Sequence, residues 1–173
     1  MKFRRLHALA WFFALLMTLS CSVIPAEKKN PPPGWSASVE EAAGRVLGSL
    51  QGKDETMLEA MCINEQEYKS IIWPQLPVSR IPQWETHSDF VWKQHRLRSA
   101  SGMQKLLSTH GGRKYDLAAV VFKDQPEDHA TYKIYLKAMA TVTDETGARH
   151  DLPLCGSVVE LNGFYKIFSY QVN

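Results

Sequence analysis

Residues 131–142 read Thr-Tyr-Lys-Ile-Tyr-Leu-Lys-Ala-Met-Ala-Thr-Val, and this stretch decides the fold class. An apolar side chain occupies every even-numbered position from Tyr132 to Val142. This period of two is the one that a pleated strand imposes on its side chains. The turn formers Asp-Glu-Thr-Gly follow at 144–147. The sequence therefore predicts a long strand that ends in a tight turn.

Further strands are predicted on either side of this one. Asn162-Gly163, between Leu161 and Phe164, is the dipeptide that a two-residue type I′ hairpin prefers, because both central residues need a positive φ. Residues 114–122 form an apolar run that the turn-prone residues 123–128 close. We expect an antiparallel meander of four strands or more between Gly112 and Asn173.

Helical signals fill the region before the meander. A capping box and apolar residues at helical spacing predict a helix over 38–52, and shorter helices are expected within 54–73. A long helix should run from about residue 84 or 88 to 110. Helices followed by an antiparallel meander indicate the α+β class, with the N-terminal helices packed on one face of the sheet.

Composition and charge narrow the class of protein. The chain has 173 residues, of which 45% are apolar and 22% are charged, as in a single globular domain. The formal charge of +2 depends on Lys2, Arg4 and Arg5 in the first twenty residues. Without them, 17 of the 20 basic residues remain against 18 acidic ones. Nucleic acid is therefore not an expected partner.

Residues 1–20 are typical of a secretion signal. A basic start precedes the apolar stretch Leu6–Leu19, which is short for a transmembrane helix. The end of the segment, Met-Thr-Leu-Ser-Cys at 17–21, resembles the bacterial lipoprotein signal, in which the cysteine becomes the lipid-modified N-terminus. We therefore expect lipidation at Cys21. The alternatives are an ordinary signal peptide with an incidental cysteine, or an uncleaved anchor.

The residues after Cys21 fit an anchored protein. Residues 21–35 contain a polar segment and Pro31-Pro32-Pro33-Gly34, typical of a stiff tether between a membrane and a domain. The single folded domain is expected over 36–173. Ser22, rather than Asp, follows the cysteine, which by resemblance to lipoproteins implies sorting to the outer membrane. The expected location is the bacterial cell envelope, lipid-anchored and facing the periplasm.

The layout of residues 36–173 resembles a known superfamily. Two helices separated by Gln-Gly-Lys-Asp-Glu at 51–55, a later helix and the closing hairpin 161–170 are similar to the cone-shaped nuclear-transport-factor-two-like fold, which includes the SnoaL-like polyketide-cyclase proteins. The resemblance implies a curved sheet around a pocket and a tendency to dimerise. This superfamily contains enzymes, ligand binders and scaffolds, so it does not decide function.

Catalytic signals are weak. His87 and Asp89 could form a base and its orienting partner, but Asp89 also suits the positive end of a helix that starts at Ser88. The histidines lack metal-ligand spacing, and no phosphate loop or nucleophile motif occurs. We therefore assign no catalytic residue, no metal and no cofactor.

Aromatic residues around the proline-rich loop are the candidate pocket. The set is Trp73, Trp84, His87 and Trp92. Large aromatics there could line the mouth of a cone and bind an apolar ligand. The alternative is that they seal the open end of the core.

Two cysteines remain besides Cys21. In an oxidising periplasm, Cys62 near a helix end and Cys155 in a strand could close a disulfide between the helices and the sheet. Two buried thiols that remain unpaired are an equal alternative.

The sheet face opposite the helices is the candidate contact surface. If alternation continues unbroken, this face carries Tyr135, Met139, Leu154, Val158 and Ile167. Apolar area of this kind on a solvent-exposed face indicates a homodimer or another envelope protein as partner. The alternatives are that the tether or the C-terminus folds back over this face, or that the register is shifted by one residue, which exchanges the two faces.

These observations predict a cell-envelope lipoprotein with a non-catalytic binding or assembly domain. Its expected partner is a small apolar ligand or an envelope protein. The alternative is a small cyclase-, isomerase- or dehydratase-like enzyme that uses the cone.

Overall fold

The structure is a computed structural model that describes residues 30–171. It is an α+β fold in which helices precede an antiparallel sheet, as the sequence predicts. The helices are α1 (Val39–Gly52), α2 (Glu55–Ala60), α3 (Glu65–Glu67) and α4 (Ser88–His110). A π-helical turn at Tyr68–Ile72 and 3-10 turns at Trp73–Gln75 and Pro77–Arg80 lie between α3 and α4.

The predicted N-terminal cap of α1 is confirmed, with a small difference. The Ser38 hydroxyl accepts the Glu41 N–H at 3.1 Å, and the Glu41 carboxylate accepts the Ala37 N–H rather than that of Ser38. Gly52 is the last residue of α1, and the C-cap Lys53 lies in the left-handed region at φ 53°. Asn64 and Glu67 form the reciprocal capping box of α3.

The described strands form one antiparallel sheet of five. They are β1 (Tyr115–Phe122), β2 (Glu127–Asp128), β3 (Tyr132–Asp144), β4 (Arg149–Leu161) and β5 (Phe164–Ser169). Their order is β1-β3-β4-β5, with β2 paired to β3 beside β1. Asn162 and Gly163 both have positive φ, which confirms the predicted β4–β5 turn.

Two segments that precede α4 cover the outer edge of β5. Ser36 exchanges backbone hydrogen bonds with Tyr165, both at 2.8 Å. Further along, Ile167 donates to the carbonyl of Met61 and accepts from the N–H of Ile63. These contacts satisfy backbone groups on the edge of β5 that would otherwise be free to pair with another chain. They also bring Trp35, the last residue of the expected tether, into the folded domain.

Apolar side chains are buried on both faces of the sheet. Ile134 and its cross-strand partner Val159 belong to a cluster with Tyr68, Ile72 and other residues before α4. The neighbouring residue Val158 belongs to a second cluster that includes α1 and α2. Because adjacent strand residues point to opposite faces, the two clusters lie on opposite sides of the sheet.

This arrangement corrects the expectation of one open contact face. Leu154, Val158 and Ile167 are only 2%, 1% and 1% exposed, so they belong to the core of the domain rather than to a contact surface. Tyr135 and Met139 are half-buried. The described residues therefore offer no exposed patch built from these five side chains.

A break in the alternation of β3 is a second difference from the prediction, beside the cover that α1 and α2 give to Val158 and Ile167. Lys137 has a φ of 52°, a left-handed conformation within the strand. Ile134 lies before this point in one cluster, whereas Ala138, Ala140 and Val142 lie after it in the other. The even-numbered side chains thus change faces midway along the strand, which a strict period of two does not predict.

Candidate functional site

A cavity of about 390 Å³ lies beside the second half of α4. One wall is formed by α4 residues from Arg98 to His110. The other is formed by Pro153 of β4 and by Tyr170 and Gln171, which follow β5. This size is within the range of small-molecule pockets, about 300–1,000 Å³.

The polar groups of the cavity form one stripe of α4. Arg98, Ser101, Lys105 and Thr109 are separated by three or four residues, the spacing that places side chains on one helical face. All four side chains are exposed. Leu106 and Tyr170, deeper in the cavity, are buried. The cavity therefore has a polar rim and a more apolar floor.

Two glycines allow the C-terminal segment to form the opposite wall. A Cβ at Gly102 in α4 would lie 2.4 Å from the Tyr170 carbonyl oxygen, and a Cβ at Gly156 in β4 would lie 1.7 Å from that of Gln171. Any larger residue would displace the backbone there. Residues 170–171 thus pass between α4 and β4 at a distance that only glycine permits on both sides.

Hydrogen bonds hold this segment in place. The Tyr170 N–H donates to the Ser99 hydroxyl at 3.1 Å, and the Tyr170 hydroxyl donates to the Leu58 carbonyl at 3.0 Å. Burial raises the pKa of Tyr170 far above its usual range, so the hydroxyl keeps its proton. At Tyr170 the floor of the cavity is therefore held by two hydrogen bonds and is uncharged.

The described residues of the rim include basic side chains and no acidic ones. Within residues 30–171, neither the Arg98 guanidinium nor the Lys105 ammonium has a carboxylate partner, and no acidic residue lines the cavity. The ring of His110 contacts the Tyr115 hydroxyl at 3.2 Å. Burial, with Arg113 and His150 nearby, lowers the pKa of His110. The rim consequently offers the basic side chains of Arg98 and Lys105 and a histidine whose lowered pKa favours the neutral ring.

A second cavity, of about 450 Å³, lies near Cys62 and Trp92. Its cations already have partners, since Arg96 pairs with Glu59 and Lys166 pairs with Glu67. The charges of this cavity compensate each other within the described chain. The cavity beside α4 is therefore the stronger candidate for an external ligand.

The structure does not bring the predicted pocket residues together around one cavity. Trp73 and Trp92 are buried in the core cluster with Tyr68. Trp84 and His87 are exposed and contact each other, with ring centroids 5.4 Å apart. For Trp73 and Trp92, the alternative that they seal the core agrees with their burial.

Asp89 has a partner other than His87. Its carboxylate lies 2.5 Å from the Lys69 ammonium, and hydrogen bonding with Lys69 lowers the pKa of Asp89. His95 is turned inward, where its Nε2 donates to the Phe168 carbonyl at 2.8 Å. Among residues 30–171, no group of three His, Cys, Asp or Glu side chains could hold a metal ion.

Cys62 and Cys155 are free thiols, and both are buried. Burial raises the pKa of Cys62 to about 11, and that of Cys155 is raised further by burial and by Cys62. Both groups are therefore protonated at neutral pH. Of the two alternatives left open by the sequence, the structure has the unpaired thiols.

The rim residues were not among the candidates from the sequence, although a signal for them exists. Arg98, Ser101, Lys105 and Thr109 recur at helical spacing and form one polar stripe. A polar stripe usually indicates only a solvated helix face. The wall opposite it is what makes a cavity, and that wall depends on contacts between residues distant in sequence.

The comparisons with known proteins supply no relative. No family model matches the chain, and no curated protein or solved structure shows a significant match. The cone-shaped fold and the superfamily resemblance therefore stay predictions. The predicted signal peptide and the predicted lipidation site Cys21 lie outside the described residues. Within residues 30–171, no helix has the length and hydrophobicity needed to cross a membrane.

Proposed function

We propose that this chain is a cell-envelope lipoprotein whose domain is a non-catalytic binding module for a small ligand. The observation that supports this most directly is the cavity beside α4. It is large enough for a small organic molecule, and its exposed polar rim surrounds a buried floor at Leu106 and Tyr170. Pockets with a few polar groups above an apolar base are typical of ligand sites.

Binding is favoured over catalysis by the chemistry of the rim. General acid–base catalysis needs a titratable group and, in most cases, a second group that orients it. Among the described residues, no carboxylate lines the cavity, and an arginine guanidinium does not serve as a general acid or base. Apart from His110, the polar side chains of the rim are better suited to holding a ligand than to exchanging protons with it.

Native mass spectrometry of the full chain, purified from its own host, tests this proposal. A retained small molecule is expected on the wild-type protein and should be lost from Ser101→Trp, in which an indole fills the rim. Lys93→Trp is the matched control, because Lys93 is exposed on the same helix and does not line the cavity. Equal retention by both variants would place the ligand elsewhere.

The lipid anchor has a separate test at Cys21. Cells grown with labelled palmitate should incorporate label into the wild-type chain, and Cys21→Ser should lose both the label and the membrane association. Cys62→Ser controls for other thiols, since Cys62 is buried. Unchanged membrane association in Cys21→Ser would contradict a lipid anchor.

An isomerase- or dehydratase-like activity is the second candidate. The favouring observation is the His110 ring, which lines the cavity and contacts the Tyr115 hydroxyl at 3.2 Å. A histidine with a lowered pKa is neutral at pH 7 and could act as a general base. If so, His110→Gln should abolish turnover of a bound ligand while its binding persists. An unchanged ligand mass after incubation with the wild-type protein would argue against this activity.

A further inference from the structure

We infer that the ligand of the α4 cavity is an amphiphile with one anionic group, a carboxylate, sulfonate or phosphate, held at the rim and an apolar body directed to the floor. This inference rests on the proposed function and adds the chemical class of the ligand. It starts from the two cations at the rim. Within the described chain, neither Arg98 nor Lys105 has an acidic partner.

The spacing of these cations suits one shared anion. At a rise of about 1.5 Å per residue, Arg98 and Lys105 lie about 10 Å apart along the axis of α4, with Ser101 between them. Both side chains are long enough to reach an anion beside the Ser101 hydroxyl. Hydrogen bonds between ionised partners are about twice as strong as neutral ones. One anionic group can therefore use the guanidinium, the ammonium and the hydroxyl together.

The change in exposure from the rim to the floor of the cavity indicates that the rest of the ligand is apolar. Exposure falls from the rim, where Arg98 and Lys105 are exposed, to the floor, where Leu106 and Tyr170 are buried. Pro153 adds an apolar side to the wall. A small inorganic anion would leave this floor uncovered, whereas a molecule with an apolar body would cover it. The gradient thus favours an amphiphile over a free inorganic ion.

Local charge separates this cavity from the other charged sites of the domain. At the second cavity, Arg96 and Lys166 are compensated by Glu59 and Glu67. On the other side of His110, the pocket around His150 contains Asp144 and Glu145. The rim beside α4 is the one of these three sites whose described lining contains no acid, and an anionic ligand meets no like charge there.

A matched pair of fluorescent probes tests the inference. 8-Anilinonaphthalene-1-sulfonate carries the aromatic body and a sulfonate, and N-phenyl-1-naphthylamine has the same rings without the charge. Both are titrated into the full chain in zwitterionic nanodiscs, with empty nanodiscs subtracted. The sulfonate probe should bind at least tenfold more tightly. The double variant Arg98→Gln/Lys105→Gln should remove this difference, and Lys93→Gln should not. Ser101→Trp should block both probes.

The outcomes separate this inference from the proposed function. If both probes bind equally and the double variant changes neither, the anion inference is overturned while a ligand cavity remains. If neither probe binds the wild-type chain, both are overturned. If inorganic phosphate displaces the sulfonate probe as well as decanoate does, the apolar body is overturned. Thermal unfolding of each variant confirms that the fold is kept.

Discussion

Lys166 donates hydrogen bonds to both carboxylate oxygens of Glu67, at 2.9 and 2.8 Å, from a side chain that is only 4% exposed. The same carboxylate accepts the indole N–H of Trp35 at 2.9 Å and the backbone N–H of Asn64. One side chain thus joins the start of the domain, the cap of α3 and strand β5.

Removing the charge of Glu67 should destabilise the domain. Glu67→Gln would leave the Lys166 ammonium buried without a counter-charge, and breaking such a pair typically costs about 3–5 kcal/mol. We expect the free energy of unfolding to fall by about 3 kcal/mol, the lower end of this range, because the Glu67 side chain is 18% exposed. Urea unfolding measures it.

Glu65→Gln is the matched control for this change. Glu65 lies in the same helix and pairs with Lys69 at 2.6 Å, but both side chains are exposed. Exposed pairs contribute about 1 kcal/mol or less. Equal losses in the two variants would show that burial of Lys166 does not set the effect.

Replacement by alanine should have opposite effects on stability at Gly102, which has a close backbone contact, and at Gly48, which has none. Gly102→Ala would place a Cβ 2.4 Å from the Tyr170 carbonyl, and overpacking of this kind costs about 1–3 kcal/mol. In α1, a Cβ at Gly48 has no contact within 4 Å, and alanine there should stabilise by about 0.5–1 kcal/mol. Denaturant midpoints of the two variants should move in opposite directions. A stabilising Gly102→Ala would contradict the close approach of residues 170–171.

The two buried thiols should resist modification in the native protein. Burial raises the pKa of Cys62 to about 11 and keeps Cys155 protonated, so neither thiolate is populated at pH 8. Iodoacetamide should label neither residue in the native protein. After the protein is unfolded in the absence of reductant, both residues should be labelled, which peptide mass mapping would show. Rapid native labelling would argue against burial. Failure to label unfolded, unreduced protein would indicate a disulfide.

Because of His95, the free energy of unfolding should decrease as the pH is lowered from neutral. Burial lowers the pKa of its ring beneath the ordinary value of about 6.5, and nearby Arg96 and Arg98 act in the same direction. The unfolded state therefore binds the proton more tightly. The contribution of His95 is fully present above about pH 6.5 and is lost as the pH falls through the lowered pKa.

His95→Gln should flatten this dependence. Glutamine keeps a donor for the Phe168 carbonyl but does not titrate. The decrease in unfolding free energy between pH 7 and pH 5 should be smaller than in the wild type, although His110, whose pKa is also lowered, keeps part of it. His87→Gln, at an exposed position, is the control. The same slope in His95→Gln and wild type would remove His95 as the cause.

The sequence by itself determined the local features of this protein. The cap at Ser38, the turn at Asn162-Gly163 and the α+β order depend on residues close together in the chain, so their patterns can be read directly. The cavity needed the tertiary structure. Its polar stripe on α4 is visible in the sequence, but its second wall arises where residues 170–171 pass Gly102 and Gly156.

Only the tertiary structure decided which sheet faces are buried. The alternation of residues 131–142 predicts one inner and one outer face, and the left-handed Lys137 exchanges them midway along β3. No neighbouring residue marks that position, because lysine adopts a positive φ at a cost that surrounding contacts must offset. Those contacts come from strands and helices distant in sequence. The face that carries Val158 and Ile167, which alternation assigns to a partner, is filled by α1 and α2 of the same chain.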